Sequence, residues 1–146
     1  MRGGVFTAIN FRRMRFLIDR LPMARFRIDK AMARAAKCTA SLSGMPGGGG
    51  GDSQVERGVE LLEAAREAHA AISQELYDMR LELQPLLETL EDPLQKTAMR
   101  MRYIEGLSVR EIAYRITYSE QHIFRVLQKA EKILQESAKD ESHEST

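Results

Sequence analysis

The stretch "LSVREIAYRITYSEQHIFRVLQKAEKIL", Leu107–Leu134, decides the fold. Two helix starts lie within it. Ser108 is followed three residues on by Glu111, the capping-box spacing in which hydroxyl and carboxylate each satisfy the other residue's backbone N–H. Ser119 repeats the start signal as a second N-cap. The pattern predicts a short helix, a turn, and a second helix running to about Gln135. Ile112, Ile116, Ile123 and Val126 fall where two such helices bury side chains against each other. Ala113 is small where they would cross. Ala130, Ile133 and Leu134 continue the apolar stripe of the second helix. Two helices joined by a three-residue turn, the second longer and basic, make a helix-turn-helix pattern.

Upstream, "EDPLQKTAMRMRYIEG" reads as one more helix. Asp92 is its N-cap, Pro93 suits the first helical position, and Gly106 is its C-terminal stop. Leu94, Ala98, Met101, Ile104 and Leu107 give it an apolar face that covers the helix pair. Residues 92–135 therefore form one expected domain, and the polar segment 136–146 is expected to be disordered.

Residues 54–91 carry a different periodicity. Val55, Leu62, His69, Leu76, Leu83 and Leu90 are seven apart, and Gly58, Ala65, Ile72, Met79 and Leu86 follow by three. This is an a/d register held over about five heptads. His69, at an a position, reads as a polar residue that fixes pairing. Pro85 is expected to bend or restart the last turn. Residues 1–40 form a basic segment in which Met14, Leu17, Leu21, Ala24, Ile28, Ala31, Ala35 and Cys38 share one helical stripe. Pro22 predicts a kink there, or two helices.

Charge is segregated among these segments. Residues 1–38 hold a net of +8, residues 52–92 a net of −8, residues 93–135 a net of +4 and residues 136–146 a net of −3, within a chain of 146 residues and net charge +1. A basic and an acidic helix joined by a flexible segment predict an antiparallel hairpin. Apolar burial at about 25 cal/mol per Å² supplies most of its stability, and the charges, about 0–1 kcal/mol per surface pair, set orientation. The rival use of the same stripe is a homodimer through residues 54–91. The segment between, 41–53, contains "GGGGG". A phosphate-cradling loop needs a preceding strand and a G-K-[ST] ending. Neither is present, so the run reads as a Gly-rich linker.

No metal-ligand spacing joins His69, His122, His143 and Cys38, and no catalytic Ser/His/Asp set is recognisable. The expectation is a protein that is not an enzyme and needs no cofactor or metal. A single cysteine forms no intramolecular disulfide. No apolar run is long enough to cross a membrane, and the N-terminus lacks the uninterrupted apolar core of a secretory signal. Its Arg-rich, acid-poor composition does mimic an organellar transit peptide.

The solvent face of the last helix carries the functional expectation. It holds Glu120, Gln121, His122, Phe124, Arg125, Gln128, Lys129 and Lys132, with Ser119 at its cap. In a recognition helix the first turns reach base edges and later residues meet phosphates. Gln121 can read adenine and Arg125 guanine through paired hydrogen bonds, and Phe124 can touch a thymine methyl. Lys129, Lys132 and Arg110 are expected phosphate contacts, and Arg115 is a further one.

With these residues in view, "RYIEGLSVREIAYRITYSEQHIFRVLQKAEKIL", residues 102–134, resembles region 4 of bacterial sigma-70-type factors, the module that reads the promoter −35 element. The wider chain, about residues 10–135, is similar to short phage-encoded sigma-region-4-like proteins grouped with ArpU-like late-gene regulators. The resemblance implies an all-α fold, an N-terminal helical hairpin or coiled coil followed by a helix-turn-helix domain of sigma region 4 type. It implies a sequence-specific transcription regulator, working in the bacterial cytoplasm, with double-stranded DNA and RNA polymerase as partners. Two readings stand beside it: DNA recognition in phage packaging, as in small terminase subunits, and a coiled-coil protein that binds polymerase without binding DNA. The match departs from the family pattern at Thr117, where sigma region 4 usually has glycine and where the turn is expected to differ. It departs again at Glu120, where sigma factors carry arginine. The −35 specificity is therefore not carried over. No segment resembles the promoter-melting region, so the resemblance implies a region-4-like module and not a complete sigma factor.

Overall fold

Every element of the computed structural model is helical, and it describes residues 9–43 and 51–144, with side chains over 9–37 and 54–138. The helices are α1 (Phe11–Ser43), α2 (Gly51–Leu87), α3 (Pro93–Met99), α4 (Val109–Ile116) and α5 (Glu120–Glu144), and a π-helical turn, Arg100–Ile104, continues α3. The all-α expectation holds, with no strand among the described residues. The middle of the expected linker, residues 44–50, lies outside the described residues, as do residues 1–8 and the side chain of Cys38.

Several expected boundaries move. Residues 41–43 and 51–53 are helical, so the linker is narrower than 41–53. Pro22 does not divide α1. Its missing N–H removes one helical hydrogen bond and its ring crowds the preceding turn, and the helix nevertheless continues through it to Ser43. Pro85 lies inside α2, which ends two residues later at Leu87. At the other end, α5 runs to Glu144, past the expected stop at Gln135 and through most of the segment expected to be disordered. The segment "ESAKDESHE" has no proline or glycine, so nothing in it breaks a helix already nucleated upstream.

The chain forms two compact units, and their border falls inside α1 and α2 instead of at the linker. One unit is Leu17–Leu76. Leu17, Ile18, Ala24 and Leu76 are buried there, and Leu21, Ile28, Ala31, Ala35, Val55, Leu62, Ala65, His69 and Ile72 are half-buried, so the inward faces are the stripes read from sequence. Gly58 is buried, and a Cβ placed on it would lie 3.9 Å from the Ala35 Cα. Arg27, Lys30 and Arg34 of α1 border one groove with Leu61, Ala64 and Ala68 of α2. The unit thus has α1 and α2 side by side.

The other unit joins the chain before Leu17 to everything from Tyr77 on. Its buried side chains include Phe11, Met14, Leu83, Leu87, Leu90, Ala98, Met99, Tyr103, Ile112, Ala113, Ile123, Leu127, Ala130 and Leu134. The first turns of α1 are therefore part of this core, and the Phe11 and Tyr103 rings meet at 5.1 Å. A domain confined to 92–135 is too small to describe it. α3 and α4 both pack on α5.

Local sequence explains the starts and stops. Asp92 accepts the Leu94 N–H at 2.9 Å, with Pro93 opening α3. The Ser108–Glu111 capping box is present in both directions, at 3.1 and 3.2 Å. Ser119 Oγ accepts the His122 N–H at 3.1 Å. Gly106 takes a φ of 78°, a conformation open to glycine without steric cost. The π turn was not expected. The Glu105 N–H donates to the Arg100 carbonyl, five residues back, at 3.0 Å. Within this turn Tyr103 is fully buried while Ile104 is only half-buried. In α5 the buried stripe runs Ile123, Leu127, Ala130, Leu134, and Ile133, expected inside, is 38% exposed.

Candidate nucleic-acid interface

In the unit that contains α3, α4 and α5, the outward side of α5 carries mostly polar side chains, with Phe124 exposed among them. The capping box fixes α4, and the turn 117–119 then redirects the chain. Thr117 closes α4 with φ 61° and ψ 48°, and the Tyr118 N–H donates to the Ala113 carbonyl at 3.0 Å. The turn is left-handed at Thr117 despite its β-branch, the conformation that glycine would favour there. The expectation of a different turn is thereby corrected: Thr117 itself takes the left-handed conformation.

Ser119 then starts α5, and every residue singled out on the solvent face is exposed: Glu120, Gln121, His122, Phe124, Arg125, Gln128, Lys129 and Lys132, with Ser119 and, on α4, Arg110. Arg125, Lys129 and Lys132 border a shallow depression with Gln128, Glu131 and Gln135. Phe124 is 53% exposed. Arg115 is less available than Arg110, because it lies 3.9 Å from the Glu105 carboxylate.

Glu131 is the acid of that depression, and two residues turn its charge inward. Arg15 Nη1 donates to it at 3.0 Å, and the Tyr103 hydroxyl donates to its other oxygen at 2.6 Å. Arg15 Nη1 also donates to the Tyr103 hydroxyl at 2.8 Å, which closes a three-membered network. Burial, then the Glu131 carboxylate, raises the Tyr103 hydroxyl well above the usual tyrosine range. Burial works to lower the Arg15 guanidinium, but Tyr103 and Glu131 together outweigh it and the net direction is upward. Arg80 Nε donates to the Tyr103 carbonyl at 2.7 Å, and Arg102 Nη1 to the Leu107 carbonyl at 3.1 Å. The basic face of α5 thus keeps its cations outward while its embedded acid is neutralised from behind. At the α4 cap, the Ser108 backbone and then its side chain hold the Glu111 carboxyl below its usual value.

Three residues of this region escape a reading of the sequence. Tyr114 is 89% exposed on α4. Tyr118 stacks on the His122 ring, centroids 5.1 Å apart and planes at 26°, so an aromatic pair links the turn to the first turn of α5. Glu131 carries no mark in the sequence that sets it apart from the other acids of its segment. The spacing of Tyr114 and Tyr118 on the outward side of the buried Ile112 and Ala113 is the signal that could have found the first two.

Fold and face together define an all-helical protein with a polar, cation-bearing surface on its last helix. The chain belongs to the family described as protein of unknown function (DUF1492), whose model matches residues 44–135. The match takes in α2 to α4 and α5 as far as Gln135, and leaves α1 outside. No curated protein and no solved structure matches the chain. Among the described residues no helix is long and apolar enough to cross a membrane, and no group of three or more His, Cys, Asp or Glu side chains is placed to hold a metal.

Proposed function

We propose that the protein is a sequence-specific DNA-binding transcription regulator of phage or prophage type, with α4, the turn 117–119 and α5 acting as a helix-turn-helix of sigma region 4 kind. In this reading α5 is the recognition helix. Gln121 and Arg125 read bases from its first turns, and Arg110, Lys129 and Lys132 hold phosphates. The observation that carries it is the α5 face: the nominated residues are exposed, from the Ser119 cap along α5 to Lys132 with Arg110 on α4, and Glu131 among the cations is held by Arg15 and Tyr103. The side-by-side packing at Gly58 and Ala35 supports the companion reading of α1 and α2 as an antiparallel hairpin.

Selection of bound sequences from random duplex DNA tests the proposal. The expected outcome is an enriched motif. Arg125→Ala relaxes preference at one base position, at a cost of about 1–3 kcal/mol for the preferred base, whereas Lys132→Ala weakens all sequences alike. A pool with no enriched sequence ends the reading. One observation favours a second reading, a polymerase-binding protein that does not touch DNA: Tyr114 is almost fully exposed, and aromatic side chains are enriched at protein interfaces. In that case the unenriched pool is accompanied by capture of purified RNA polymerase, lost on Tyr114→Ala.

A further inference from the structure

The unit Leu17–Leu76 leaves a groove of about 350 Å³ open along α1 and α2. Its rim on α1 is Arg27, Lys30 and Arg34, and its other side is Leu61, Ala64 and Ala68 of α2. Helical spacing extends that side to Ala71, and all of these α2 residues are exposed, Leu61 by 49%. The floor of the groove is Ala31 and Ala65, one from each apolar stripe and both half-buried. Small side chains there allow a second helix to approach closely. Beyond the strip, on its far side from α1, stand Glu60 and Glu67, both exposed. The three rim cations and these two acids form no ion pair among the described residues. The opposite charges of α1 and α2 are therefore not spent on each other at this level of the unit.

From these observations we infer that a second copy of this chain fills the groove. With Ala35 beside Gly58 and the helices antiparallel, Arg34 stands level with Glu60 and Arg27 with Glu67. A two-fold axis parallel to the helices lays the two α2 strips against each other in register. Each copy's Glu60 then lies over the other's Arg34, and each Glu67 over the other's Arg27. An antiparallel arrangement of the two α2 helices would instead set Glu60 and Glu67 over acids and the rim cations over cations, so these four attractions favour the parallel dimer against one repulsion, between the two copies of exposed Arg57 at the end of the strip. The interface is isologous, so every pairing occurs twice. This dimer does not depend on DNA binding, and its test contains no DNA.

The test is the mass of the full chain in solution by sedimentation equilibrium. The wild-type chain is expected as a dimer. Glu60→Arg with Glu67→Arg in one variant, and Arg27→Glu with Arg34→Glu in another, are each expected to weaken self-association by about tenfold or more. All four positions are exposed and make no ion pair among the described residues, so both variants are expected to keep their helix content by circular dichroism. Mixed in equal amounts, the two variants are expected to form a heterodimer of near wild-type affinity, because both copies of the interface regain opposite charges. A wild-type chain that stays monomeric overturns the proposal. So does a dimer that the charge reversals leave unchanged, or a mixture of the two variants that fails to pair.

Discussion

Tyr103 shows how one residue holds a surface together from inside. Its ring is buried against Phe11, its hydroxyl donates to Glu131 and accepts from Arg15, and its carbonyl accepts from Arg80. Tyr103→Phe leaves the ring packing but removes the donor to a half-buried carboxylate. The expected loss is about 1–3 kcal/mol in urea denaturation. The same substitution changes the pH profile. The folded Tyr103 ionises above the ordinary value of 10.0, so its contribution is fully present below pH 10 and falls as pH rises beyond it, because the unfolded tyrosine ionises first. The Tyr103→Phe variant lacks this ionisation, and its stability is expected to decline less steeply above pH 10. Thr117 is the complementary case, a residue the fold tolerates. A β-branched side chain at φ 61° is strained, and Thr117→Gly is expected to raise stability by about 1 kcal/mol. Thermal unfolding checks this, and no gain would mean that the Thr117 side chain compensates its own strain.

At the scale of elements, what could be read in the sequence was what is local. The caps at Asp92, Ser108 and Ser119 are made by residues two or three positions from their partners, so spacing alone reveals them. The a/d stripe of α2 and the stripe of α1 repeat within a turn or two, and both face inward. The Arg15–Tyr103–Glu131 network has no such signature, because its members lie 88 and 28 positions apart and meet only after folding. The π turn was hidden for a related reason: one extra residue in a turn leaves no composition mark, and Tyr103, inside it, is more deeply buried than Ile104. In α5, "VL" and "IL" offered two apolar neighbours at each step, and packing chose Leu127 and Leu134 over Val126 and Ile133. Gly58 gives the element-scale prediction. An added Cβ there meets the Ala35 Cα at ordinary contact distance, so Gly58→Ala is expected to stabilise by about 0.5–1 kcal/mol through helix propensity. A loss of stability instead, measured by denaturant midpoint, would show that α1 and α2 approach more closely than 3.9 Å allows.

For the whole molecule, the division of labour differs from the order of the chain. The first turns of α1 complete the core beneath the candidate DNA face, while the remainder of α1 and most of α2 make a separate unit with its own exposed groove. The sequence showed the segments but not this exchange, because Phe11 and Met14 look like any other apolar residues of α1. The central claim concerns the α5 face, and salt dependence tests it most directly. Binding of the full chain to a duplex carrying the selected motif is measured by fluorescence anisotropy at several salt concentrations. With Arg110, Lys129 and Lys132 each neutralising one phosphate, the logarithm of affinity is expected to fall against the logarithm of salt with a slope of about −3, and Lys132→Ala is expected to reduce that slope by about 1. Absence of binding at low salt, or an affinity that salt does not change, would contradict the account.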